Sequence, residues 1–216
     1  MSVTFRETIM LHSLTCPSYV ELAHPQINDE AYRRDILRQI IGRLNWMIGH
    51  HNKVLLIRFD VRFPDGYPHD GNNREISSLL RRLRENIEWS GVEVQYCWVR
   101  EQVSSLTPHY HIVMMVDGSK IQNPMGILRE ADRIWNHSIG YGGTGLVNFC
   151  CHDGGVGHVM LRRPSSVAEG EALETAQREF RDAYDDATRR IMYLAKTYSK
   201  GGAPPRAREY GCSQID

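Results

Sequence analysis

Apolar residues recur at helical spacing over the first part of the chain. Leu37, Ile40, Ile41, Leu44 and Ile48 fall on one side, and Asp29 and Glu30 sit in the first turn, so a helix is predicted from Asn28. Lys53 to Phe63 opens as an apolar run and then alternates, which predicts a strand ended by Pro64. Residues 64–73 are rich in Pro, Gly, Asp and Asn and read as a loop. Ile76, Leu79, Leu80, Leu83 and Ile87 mark a second helix, stopped by Gly91. Val92 to Glu101 is β-branched and aromatic, and His109 to Val116 is an unbroken apolar segment a short connection away. Two strands so joined predict an antiparallel hairpin. A third helix is predicted around Leu128, Ala131 and Trp135, ending at Gly140. A strand at residues 146–151 is expected to pair with a short one near 159–161. Leu173, Ala176, Phe180, Ala187, Ile191 and Leu194 mark a long last helix, from near Ala168 towards Ser199.

This order predicts an α+β fold: a central antiparallel sheet, helices packed mainly on one face, and a long C-terminal helix. Residues 1–52 read as an N-terminal extension whose helix packs on the main domain. Residues 53–200 form that domain, and 201–216 are a tail. No apolar run reaches the roughly 18 residues needed to span a bilayer. Met1 to Glu7 carries charge early and has no apolar core segment, unlike a secretory signal. A cytoplasmic protein with no membrane partner is therefore expected. Five cysteines, Cys16, Cys97, Cys150, Cys151 and Cys212, have no repeated spacing and read as reduced thiols. Cys150-Cys151-His152 makes a poor zinc site, because adjacent strand residues point apart and no second cysteine pair exists.

Net charge is zero, which argues against non-specific coating of nucleic acid. The distribution is less even. Residues 169–186 hold seven acids and two arginines, whereas 189–208 hold six bases and no acid. A switch of sign within one predicted helix points to an anion at its basic end. Arg81, Arg82, Arg84, Arg162 and Arg163 read as solvated surface.

The candidate chemistry starts at Pro108-His109-Tyr110-His111. On a strand His109 and His111 share one face, and two imidazoles so placed can close on one divalent metal. Glu101, at the end of the preceding strand, is placed to be the third ligand across the hairpin. One carboxylate with two imidazoles leaves positions open for substrate, and the set suits Mn²⁺, with Mg²⁺ as the abundant substitute. A plain hydrogen-bonded histidine pair at a sheet end is the competing account. The second signal lies on the last helix. Tyr193 and Lys196 are neighbours at three residues' spacing, and Arg189 and Lys200 project in a similar direction. A phenol flanked by cations is where a phosphate would be held. An interfacial tyrosine among solvated lysines is the plainer alternative.

Glu101, then Pro108-His109-Tyr110-His111, then Tyr193-x-x-Lys196 resembles the HUH endonucleases, and more narrowly the rolling-circle replication initiators of phages and plasmids. Arg58-Phe59-Asp60-Val61-Arg62-Phe63-Pro64 and Tyr193-Leu194-Ala195-Lys196 are similar to the inovirus replication-protein family that includes YagK and YfjJ. The resemblance covers roughly residues 53–200. It implies a ferredoxin-like HUH fold with the tyrosine on the long C-terminal helix. It also implies a metal-dependent nickase of single-stranded DNA at a replication origin or hairpin. In that reading Glu101, His109 and His111 hold Mn²⁺ or Mg²⁺, Tyr193 is the nucleophile and Lys196 its companion. Tyr198, five residues on, is the alternative phenol, and Lys200 a secondary cation. The chain has no Gly-x-x-x-x-Gly-Lys-Ser/Thr loop, so unwinding would fall to a host helicase. A single-tyrosine transposase or relaxase, a non-cleaving DNA-binding regulator of a mobile element, and an unrelated metalloenzyme are the other readings.

Overall fold

The structure, a computed structural model, describes residues 31–102, 105–150, 157–197, 203–205 and 207–215. The elements in order are α1 (Arg34–His50), β1 (Lys53–Arg62), α2 (Arg74–Trp89), β2 (Val94–Glu101), β3 (His109–Asp117), α3 (Met125–Ile139), β4 (Val147–Asn148), β5 (His158–Arg162), α4 (Gly170–Leu194) and β6 (Tyr210–Cys212). Six antiparallel strands form one sheet in the order β4-β1-β3-β2-β6, with β5 also on β1. Strand, helix, two strands, helix, strand, lying in space as β4-β1-β3-β2, is the split βαβ arrangement expected from the pattern.

β1 is buried along nearly its whole length, as befits a strand covered on both faces. Leu55, Ile57, Phe59 and Val61 point into a core closed by α2 and α3. Val54 and Leu56 point the other way, into a second core closed by α1 and α4. The helices are thus shared two to each face, which corrects the expectation that they pack mainly on one. A strand apolar on both sides must be covered on both sides, and the N-terminal and C-terminal helices do this. Each fully buried side chain of these cores contributes roughly 1.5–3 kcal/mol relative to exposure.

Helix ends follow the sequence signals. Gly91, just past α2, and Gly140, the C-cap of α3, adopt left-handed backbone (φ +67° and +66°) that glycine takes without strain. α4 stops at Leu194 rather than running towards Ser199, and Lys196 pairs in an isolated bridge with Tyr32.

Three further expectations are corrected. β4 and β5 do not pair with each other; both pair with β1, at Asp60–Val61 and Lys53–Ile57 respectively. Residues 210–212, read as part of a tail, form β6 on the free edge of β2. That pairing sets Cys97 opposite Cys212, and the two are joined by a disulfide, so they are not the reduced thiols expected. Cys150 is a buried free thiol, while Cys16, Cys151 and His152 lie outside the described residues. No helix among the described residues is long and apolar enough to cross a membrane.

Candidate metal centre

On the face covered by α1 and α4, three neighbouring strands change from apolar to polar at the same level. β1 runs Val54, Leu56, then Arg58, Asp60 and Arg62; β3 runs Met115, Val113, then His111 and His109; β2 runs Cys97, Val99, then Glu101. The register aligns the polar ends. Asp60 is opposite His111, Arg62 opposite His109, and Glu101 opposite His109 from the other side. Directly opposed side chains start about 5 Å apart, so the charged and imidazole groups meet where the apolar core ends.

Asp60, His109 and His111 each offer one ligand atom, and these atoms lie within 4.8 Å of one another. The imidazole rings are 4.6 Å apart between centroids. His111 Nδ1 is 2.9 Å from Asp60 Oδ1, and His111 Nε2 is 2.5 Å from Glu101 Oε2. His109 Nε2 is 3.9 Å from Asp60 Oδ2. Among the described residues Asp60 Oδ1 is buried without a well-aligned hydrogen bond, close as His111 Nδ1 stands. A buried carboxylate oxygen left so, beside two imidazoles, fits a cation. Burial by itself would raise the pKa of Asp60; the His111 imidazole, the Arg58 guanidinium and His109 outweigh it and hold the carboxyl below its ordinary pKa. The floor is closed, since the His111 side chain is 2% exposed, and the rim is open, since that of His109 is 42% exposed. A cation held there would be shielded on one side and reachable from solvent on the other.

Tyr193 reaches this group from α4. Ile191 and Leu194 anchor the last turn in the α1–α4 core, and Tyr193 between them stays 37% exposed. Its ring meets His111 edge-on, 5.5 Å between centroids. The Arg58 guanidinium carbon lies 3.8 Å and the Lys196 Nζ 4.3 Å from its centroid, both within cation–π range. Lys196 comes from just past the helix end, not from the same helix face, yet its ammonium still returns over the phenol.

The structure therefore gathers Glu101, His109, His111, Tyr193 and Lys196 at one end of one sheet face. Tyr198 and Lys200 lie outside the described residues. Asp60 and Arg58 were not singled out from the sequence as site residues. The available signal was Arg58, Asp60 and Arg62 at period two within a strand otherwise apolar, since charged groups are seldom buried without a partner.

The model of one family, the YagK/YfjJ C-terminal domain, matches residues 18–141. That stretch carries β1 to α3 with Asp60, Glu101, His109 and His111, while Tyr193 and Lys196 lie beyond it. No curated protein and no solved structure matches the chain. With more than half of its length matched, the chain belongs to the YagK/YfjJ C-terminal domain family.

Proposed function

We propose that this protein is a metal-dependent endonuclease of the HUH type. It nicks and rejoins single-stranded DNA to start rolling-circle replication of a phage, prophage or plasmid in the cytoplasm of a bacterial host. The observation that carries the reading is the Tyr193 ring set 5.5 Å from His111, beside three potential metal ligands and two cations. Asp60, His109 and His111, with Glu101 at hand, would hold Mn²⁺ or Mg²⁺, which when bound polarises the scissile phosphate. Tyr193 Oη attacks phosphorus and loses its proton. The bond from phosphorus to the 3′-oxygen breaks, and that oxygen takes up a proton. The products are a 5′-phosphotyrosine and a 3′-hydroxyl that can prime synthesis, and the reverse step rejoins the strand. Lys196 offsets the charge that gathers on the phosphate. Unwinding of the duplex is left to a host helicase.

The test is a denaturing gel. The full-length chain is incubated with Mn²⁺ and a pool of 3′-labelled single-stranded oligonucleotides. A labelled band that migrates with the protein is expected. Tyr193→Phe and excess chelator should each abolish it. A band that survives Tyr193→Phe and fails with Tyr198→Phe would move the nucleophile to Tyr198. Retention of DNA in a mobility shift with no covalent band would favour the regulator.

A further inference from the structure

Arg58 projects from the middle of β1, one same-face position before Asp60. Its backbone is fixed: the amide donates to Gly157 O at 2.8 Å, and the residue pairs with Val113 of β3. The side chain is only 9% exposed. A buried guanidinium is normally held by several short hydrogen bonds, often as a fork on one carboxylate. Arg58 is held more loosely. Its Nη2 stands 3.5 Å from Asp60 Oδ2, and its Nε is buried without a hydrogen bond. Among the described residues it also lies against the face of Tyr193, 3.8 Å from guanidinium carbon to ring centroid. The guanidinium thus lies between the Asp60 carboxylate and the Tyr193 ring, whose other neighbour is His111.

A buried cation with donors to spare, fixed beside the proposed nucleophile, matches the demands of phosphoryl transfer. Charge spreads over the non-bridging oxygens as the phosphorus changes partners, and a preorganised fork stabilises it without rearrangement. We infer that Arg58 is a second catalytic cation of this site, one that grips a non-bridging oxygen of the scissile phosphate while Tyr193 attacks and while it holds the cut end. This rests on the nickase reading above. It separates two cations by kind. Lys196, partly exposed and past the helix end, is a point charge on a flexible stem, whereas Arg58 is rigid and planar.

The experiment compares the full-length protein with Arg58→Met and Arg58→Lys. Methionine keeps the apolar stem and removes the charge; lysine keeps the charge and removes the fork. Circular dichroism melts check folding. Mn²⁺ affinity is read by electron paramagnetic resonance, and the first-order rate of adduct formation by single turnover on an oligonucleotide that the wild type cuts. Arg58→Met should slow adduct formation by about 100- to 1,000-fold, the loss typical of one oxyanion donor. Mn²⁺ affinity should stay near that of the wild type. Arg58→Lys should recover only part of the rate, and joining should be slowed along with cutting. If Arg58 merely steadies Asp60 for the ion, Mn²⁺ affinity falls by about 10- to 100-fold and the rate returns at saturating metal, which overturns the inference. A wild-type rate in either variant overturns it too, and Arg58→Lys decides the matter if Arg58→Met does not fold. Failure of the wild type to form any adduct is a different result: it sinks the nickase reading and this inference with it.

Discussion

Asp60 ties the site together, since it approaches His111 and His109 on one side and Arg58 on the other. Its replacement by asparagine keeps the shape and removes the charge. Asp60→Asn is expected to weaken Mn²⁺ by more than the roughly 10- to 100-fold lost when an outer partner of a ligand is changed. Calorimetric titration of metal into the folded variant checks this. The same change should alter acid unfolding of the metal-free protein. A carboxyl whose folded pKa is lowered adds stability above its unfolded value of about 3.9, and that stability is lost as pH falls through the folded value. Urea midpoints measured downward from pH 5 should fall less steeply for Asp60→Asn. The histidines were legible from the sequence because a two-residue spacing within one strand needs no tertiary knowledge. Asp60 was not, since it joins them only through the β1–β3 register, and fifty residues separate the partners. Arg58 shared that fate, because its closeness to Tyr193 arises only when α4 packs across the sheet.

α4 is the element on which the position of Tyr193, the proposed nucleophile, depends. From Phe180 onward it carries Phe180, Tyr184, Ala187, Ile191 and Leu194 into the core that α1 shares, so the depth of Ile191 fixes how Tyr193 stands over the histidines. Ile191→Ala should cost about 2–4 kcal/mol in urea unfolding, the range for a fully buried aliphatic side chain cut to alanine. It should also slow adduct formation, because a slack last turn displaces the phenol. Helix periodicity gave Phe180, Ala187, Ile191 and Leu194 of the buried stripe of α4; Leu173 and Ala176 are only half-buried, Tyr184 was missed, and the end of the helix was hidden. Nothing at Ala195 in the sequence announces that the chain leaves the helix. It does so because Arg33 N–H donates to Ala195 O and Thr197 N–H to Ala31 O, contacts with a segment more than 160 residues earlier. Strand partners were hidden for a similar reason. Adjacent strands β2 and β3 could be paired by proximity, whereas β4 and β5 meet β1 only after α2, β2, β3 and α3 have intervened.

At the scale of the whole molecule, one sheet separates two cores, and the face that carries the candidate metal centre belongs to the one built from α1 and α4. The Cys97–Cys212 disulfide spans 115 residues and locks the last strand to β2. Closing so long a loop stabilises by about 2–4 kcal/mol, chiefly by restricting the unfolded chain. Cys212→Ser should therefore lower the urea unfolding free energy by that amount without reductant, and dithiothreitol should bring the wild type to the same value. The outer borders of the sheet are assembled from β4, β5 and β6, of two, five and three residues. Among the described residues, a border made of such short pieces presents no long row of open amides and carbonyls to another copy. Strand-by-strand accretion, the common route by which sheet proteins clump, thus finds little to template on along these borders.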